Sequence, residues 1–302
     1  MPRRVATASK PQLHSSNRFF SAVRMQTIGD DKFVSPRDTR LAFADSIGEE
    51  SLSGKLISAG TVLERLDILG AADAENVACK TIATTCVDRV GLKSQIAHGD
   101  LVLLEGEVIV ITSVTTGCSS LAVQITGYRH DIEAGKFIHT LSAIMALDVN
   151  MRPISKLSKL INPSDPQYVS KHEEIAVQRK ELAARWQAVQ EEVDQMPHVS
   201  ADMINDYGRS LELPIPDTLI EVQNSFLPEH LNRKNTIFGG EVLTWMDKVA
   251  LYCARNFTNN QNMVTVSMNR IFFKLPITMD DIVTVHARVS SARYVITFMN
   301  GC

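Results

Sequence analysis

Apolar positions along this chain change their period several times, and each change marks an element. Between residues 235 and 254 Val242, Met246, Val249 and Cys253 recur at helical spacing, directly behind the bare pair Gly239-Gly240. The pattern predicts a helix whose first turn has almost no side chains. A second helix is predicted over 59–76, apolar on most of its faces. Around it lie runs rich in Val, Ile, Leu and Thr at 38–46, 81–92, 101–113, 119–130 and 137–148, separated by breakers at 98–100 and 133–135. One long helix with an antiparallel meander predicts an α+β arrangement in which a sheet wraps the helix.

The two helical stretches are copies of one another. Gly60-Thr-Val-Leu-Glu-Arg-Leu-Asp67 reads against Gly240-Glu-Val-Leu-Thr-Trp-Met-Asp247 at an offset of 180, with glycine, valine, leucine and aspartate matched. An offset of 181 then carries Asp88-Arg89 onto Asn269-Arg270 and Asp100-Leu-Val onto Asp281-Ile-Val. A domain-sized duplication is the simplest account. The second copy opens at Asp217-Thr-Leu-Ile-Glu-Val and continues through predicted strands at 264–274 and 282–290. After Asp281 only 21 residues follow, whereas 50 separate Asp100 from Asn150, so the second copy is expected to fall about two strands short.

The expected division is a segment at 1–35, a first domain at 36–150, a linker at 151–215 and a second domain at 216–302. Pro153, Pro163 and Pro166 punctuate the linker. Behind them 171–196 carries an apolar stripe of Ile175, Leu182, Trp186, Val189, Val193 and Met196, predicted to dock on the chain's own domains. Up to Gly29 there are five basic residues and no acidic one, with several serines, a composition that predicts mitochondrial targeting, the alternative being an untargeted cytoplasmic protein with a disordered tail.

Composition removes several classes of function. A net charge of −3 gives no general attraction to nucleic acid, and no uncharged apolar run is long enough to predict a membrane span. The five cysteines are scattered and never form a C-x-x-C pair, so no metal site is expected. G-x-S-x-G, H-E-x-x-H and P-loop signatures are also missing from the sequence.

What remains is the chemistry of the glycines and aspartates. The first N–H groups of a helix lack intrahelical partners and sit at the positive end of its dipole, which suits them to a carbonyl oxygen that becomes an oxyanion. Asp247 follows Gly240 by seven residues, which returns it to nearly the same face about 10 Å along the axis. One helix cannot close that gap, but a second copy running antiparallel beside it would.

These residues resemble the double hotdog acyl-CoA thioesterases, which carry an asparagine, then FGG, then MD, followed by a strand of the type V-T-x-S-M-x-x-I-x-F-x-x-P-I. Here the motif runs from Asn232 to Asp247 and from Val264 to Ile277. The first copy matches more loosely through SAG-TVLERLD, and the final dozen residues match poorly. The resemblance implies tandem hotdog domains, each a helix wrapped by an antiparallel sheet, with the thioester held between paired helices. It implies hydrolysis of fatty acyl-CoA with Asp67 and Asp247 as carboxylates, Asn235 and Thr236 as the polar partners, and Gly240 and Gly60 as amide donors. Leu56 stands where the first copy would need a polar side chain, so the Asp67 site is expected to be better furnished than the Asp247 site. Arg270 and Lys274 are candidates for coenzyme A phosphates, with Ser119 and Ser120 for the coenzyme channel. Coenzyme A is then part of the substrate, no separate cofactor is expected, and the chain is expected to form homo-oligomers. The rivals are a non-catalytic acyl-CoA-binding or regulatory protein and a hotdog hydratase, the latter weakened by the lack of a histidine near either helix start.

Overall fold

The computed structural model describes residues 26–28, 31–79, 81–88, 90–113, 119–129, 136–147, 152, 157–195 and 218–289. The basic stretch behind the targeting expectation through residue 25, the second half of the linker and the chain from residue 290 onward lie outside the described residues. Two short strands, β1 (Gln26–Ile28) and β2 (Asp31–Val34), pair with each other inside the segment read as a targeting or disordered tail. Phe33 and Val34 explain this, because both are buried. A helical turn, α1 (Pro36–Thr39), occupies the start of the expected first strand, and β3 (Leu41–Ser46) takes the rest. Pro36, with its fixed φ and missing N–H, favours a helix's first turn over a strand position.

Helix α2 (Ala59–Ala78) runs two residues past its predicted end and closes at Cys79, which adopts a left-handed conformation with φ 49°. The expected strand at 81–92 is two pieces, β4 (Thr81–Val87) and β5 (Val90–Leu92). β6 (Leu101–Ser113), β7 (Ser119–Arg129) and β8 (Lys136–Leu147) follow as an antiparallel meander. The sheet order is β3, β6, β7, β8, and then β4 and β5 end to end. Val62, Leu63, Leu66 and Val77 of α2 are buried beneath it together with Leu104, Leu121, Val123 and Ile125. This is the helix-in-sheet arrangement of a hotdog domain.

β9 (Lys159–Leu160) adds in parallel to β2 and leads into the linking helix α3 (Pro166–Gln195), which begins five residues before its predicted start. Its apolar stripe is covered only in part: Leu182, Trp186 and Val189 are exposed. Polar contacts hold it instead, with the Tyr168 hydroxyl donating to Glu107 and Arg179 paired with Asp88 at 3.1 Å.

The second copy supplies β10 (Ile220–Ser225), α4 (Gly239–Thr258), β11 (Ser267–Met268), β12 (Ile271–Phe272) and β13 (Ile282–Ala287). β10 pairs with β13 in the register that β3 makes with β6, so the duplication extends to strand pairing. The predicted strand at 264–274 is broken like its counterpart. β11 pairs antiparallel with β5 and β12 with β4, so equivalent edges of the two copies join across a pseudo-twofold axis. Pairing equivalent edges leaves neither open at the seam. Helices α2 and α4 lie side by side and antiparallel across the same pseudo-twofold axis.

Candidate functional site

Small residues set the distance between the two helices. A Cβ on Gly60 would stand 2.8 Å from the Thr244 Cα, and one on Gly240 would stand 2.9 Å from the Glu64 Cα. Each glycine therefore sits against the backbone of the opposite helix, at a separation no larger residue permits. Thr244 fastens the contact by donating its hydroxyl to the Gly60 carbonyl at 2.9 Å.

That approach brings each aspartate to the other helix's first turn. The Gly60 N–H donates to Asp247 Oδ2 at 2.9 Å, and the Thr265 hydroxyl donates to its Oδ1 at 2.5 Å. On the other side the Gly240 N–H bonds the Asp67 carboxylate, and the Thr84 hydroxyl donates to Asp67 Oδ1 at 2.7 Å. Thr84 and Thr265 are themselves related by the 181-residue offset. Sequence reasoning passed over both threonines, although extending the alignment of the two copies past the aspartates would have found them.

The two halves then diverge. Asp67 lines a cavity of about 1100 Å³ between α2, β4, the 231–239 loop and the 273–277 segment. Asp247 is fully buried, and the space nearest its threonine is about 150 Å³, bordered by Leu56 and Ile57. Burial pushes the Asp67 carboxyl up to about 6, against the opposing pull of the Thr84 hydroxyl and the Gly240 N–H. At neutral pH it is an anion that takes up a proton readily, which suits a general base.

Thr236 lines the cavity, and so does Asn232, whose Nδ2 donates to the Thr236 hydroxyl at 2.8 Å. Asn232 also accepts the Lys234 N–H at 2.8 Å and so shapes the turn. Asn235 occupies the left-handed position of that turn, with φ 58°, and is not among the residues around the cavity. The asparagine beside Thr236 in sequence is thus not the one beside it in space. Asn232 opens the motif read from the sequence, but the sequence did not show that it, and not Asn235, bonds Thr236.

Lys274 borders the cavity. Arg270 does not. Its guanidinium bonds Asp88 at 3.4 Å and the Arg179 carbonyl at 3.3 Å, and stacks on Trp186 with 4.9 Å to the ring centroid. Ser119 and Ser120 open β7 opposite Ser113 and Thr112, and Ser120 lies outside the cavity lining. Among the described residues no His, Cys, Asp or Glu cluster could hold a metal ion, and no helix is long and apolar enough to cross a membrane.

Residues 234–300 match the family model of the thioesterase superfamily. The match carries on past residue 290, so the last stretch, which reads poorly against the first copy, does take part in the resemblance. Among solved structures, the chain is similar to an acyl-CoA hydrolase from Staphylococcus aureus in complex with butyryl coenzyme A, at 15% identity over 54% of this chain and 99% of that one, TM-score 0.45. It is also similar to an apo-hexameric acyl-CoA thioesterase, at 20% identity over 50% and 97% of the two chains, TM-score 0.43. A 12:0-ACP thioesterase from Umbellularia californica covers more of it, 84% against 88% of that chain, at 10% identity and TM-score 0.46. No curated protein matches the chain at the sequence level. The thioesterase-superfamily match over residues 234–300 agrees with thioester hydrolysis as the general chemistry.

Proposed function

We propose that this chain hydrolyses fatty acyl-CoA to free acid and coenzyme A at one composite site in the seam. The observation that carries the reading is the buried Asp67 carboxylate, which meets the bare first turn of the opposite helix and opens onto a cavity large enough for an acyl thioester. In this reading Asp67 takes the proton of a water that adds to the thioester carbon. The oxyanion is held by the Gly239 N–H at the bare first turn, the Gly240 N–H staying on Asp67, with Thr236 and Asn232 fixing the carbonyl. The C–S bond then breaks. A thiol with a pKa near 8.5 leaves as thiolate without a dedicated acid, and the proton on Asp67 returns to it or to solvent. If Asp67 instead attacks the carbon itself, single-turnover hydrolysis in heavy-oxygen water places label in its carboxylate, and the general-base route does not.

Asp247 serves as a structural tie in this account: Gly60 and Thr265 hold it as Gly240 and Thr84 hold Asp67, but the cavity beside its threonine is about 150 Å³ against about 1100 Å³ at Asp67. Release of free thiol from acyl-CoAs of several lengths tests the whole reading. Asp67→Asn is expected to lower kcat by about 10² or more, while Asp247→Asn lowers stability and keeps turnover per folded molecule. Activity in Asp67→Asn would remove the site assignment, and binding of acyl-CoA by the unmodified protein without hydrolysis would return the case to a regulatory binding protein. Lys274, Lys234 and Arg233, all on the cavity wall, are proposed to meet coenzyme A phosphates. Mitochondrial residence is proposed from the basic segment, and a fluorescent fusion to residues 1–35 that stays cytosolic would remove it. Assembly into homo-oligomers is proposed as well, to be read by light scattering.

A further inference from the structure

Helix α3 leaves most of an apolar stripe uncovered, and the spacing of that stripe specifies what fits it. The first turns of the helix pack on the first domain through Val169 and the Tyr168 hydroxyl. Further along, Arg179 turns to Asp88 and Trp186 lies against Arg270. Leu182 and Val189 stay in the open, 38% and 57% exposed, and Trp186 itself keeps 54% of its surface free.

Leu182, Trp186 and Val189 are separated by steps of four and three, and the sequence reaches Val193 after four more. Alternating steps of three and four average 3.5 residues, the repeat that keeps one seam facing a second helix. The wider apolar face of a helix that rests on a sheet or a globular surface has no need of that repeat. In heptad terms Leu182 and Val189 occupy d positions and Trp186 an a position. Arg185 and Glu192 then both fall at g, exposed, on one flank of the stripe. The other flank, Ala176, Ala183 and Gln190, carries no charge.

We propose that α3 pairs antiparallel with α3 of a second copy of this chain. In an antiparallel pair the g flanks face each other, so Arg185 of each copy meets Glu192 of the other, and the twofold axis makes the ion pair twice. Trp186 packs against Val189 of the second copy in the same register. A parallel pair would set each g flank against the uncharged one and form no ion pair. Charge also turns the stripe away from a lipid surface. Helix α3 has four lysines and arginines against six glutamates and aspartates, whereas a helix that lies on anionic lipid is basic on its polar face. The proposal stands apart from the hydrolase reading, since none of these residues borders the Asp67 cavity. Three exposed apolar side chains per copy make a small interface, for which a dissociation constant in the micromolar range is expected.

The test is the mass of the full chain by sedimentation and light scattering between about 1 and 200 µM, a range that brackets micromolar association. The expected result is a doubling of particle mass across that range. Leu182→Glu combined with Val189→Glu should abolish the doubling. Arg185→Glu should weaken it about tenfold by setting two glutamates together, and adding Glu192→Arg should restore it to within about threefold. That restored variant also shows that the single reversal acted on pairing and not on folding. A mass unchanged by any of these variants would overturn the proposal, and so would a double reversal that fails to recover what the single one lost. Retention of α3 on vesicles of anionic lipid, lost with Leu182→Glu and Val189→Glu, would overturn it in favour of a membrane surface.

Discussion

At the scale of single residues, the chain keeps two carboxyl groups in places where carboxylates are expensive, and their surroundings set different behaviour. Asp67 is pushed up to about 6 by burial and pulled back by the Thr84 hydroxyl. As a base it works only when ionised, so kcat/KM should rise with pH through about 6. Thr84→Val removes a bond that favours the anion and should move that limb upward; a limb that stays put would separate Thr84 from Asp67. Asp73 lies under the sheet, fully buried, where a Cβ on Gly106 would collide with its carboxyl. Burial pushes it up to about 8. Its folded-state pKa exceeds the unfolded value near 3.9, so the folded chain holds a proton that the unfolded chain gives up. Stability should therefore fall as pH rises from about 4 to about 8 and level off above that. Asp73→Asn should flatten this dependence in urea midpoints taken at pH 5, 7 and 8.5, and a slope identical to the parent would rule Asp73 out as its source.

At the scale of elements, the glycines do two jobs with one property. Absence of a side chain lets α2 and α4 approach, and the same absence exposes the amide N–H groups that meet Asp67 and Asp247. Gly60→Ala should cost about 1–3 kcal/mol in denaturant unfolding, because the new methyl meets backbone that cannot step aside. Gly91→Ala is the comparison, since nothing lies within 4 Å of its added Cβ. Both substitutions having equal effect would argue against a fixed helix separation. The strand elements teach a different lesson. Runs at 81–92 and 264–274 read as single strands because their apolar content is continuous, but each breaks near the pseudo-twofold axis. Period-2 patterning reports which face is buried and carries no information on which edge a strand will pair.

At the scale of the whole molecule, the two copies are held by three features: the helix pair, the joined sheet edges and the linking helix. Arg270 unites the last two, for it bonds Asp88 of the first copy while Trp186 of α3 covers it. Arg270→Ala should release α3 and speed proteolysis within 171–195 several-fold, with a loss of about 1–3 kcal/mol in stability. Unchanged cleavage would mean that Tyr168 and Glu107 hold the helix alone. Much of this was legible in advance. The duplication, the α+β arrangement, the antiparallel helices and the facing glycines and aspartates follow from residue types at fixed offsets, because local geometry converts spacing into direction. Only the tertiary structure decided that the two sites differ so widely in volume, that Asn232 rather than Asn235 stands beside Thr236 on the cavity wall, and that Arg270 faces the linking helix. Those outcomes depend on how much room remains once separate segments have packed, and no segment carries that quantity in its own sequence.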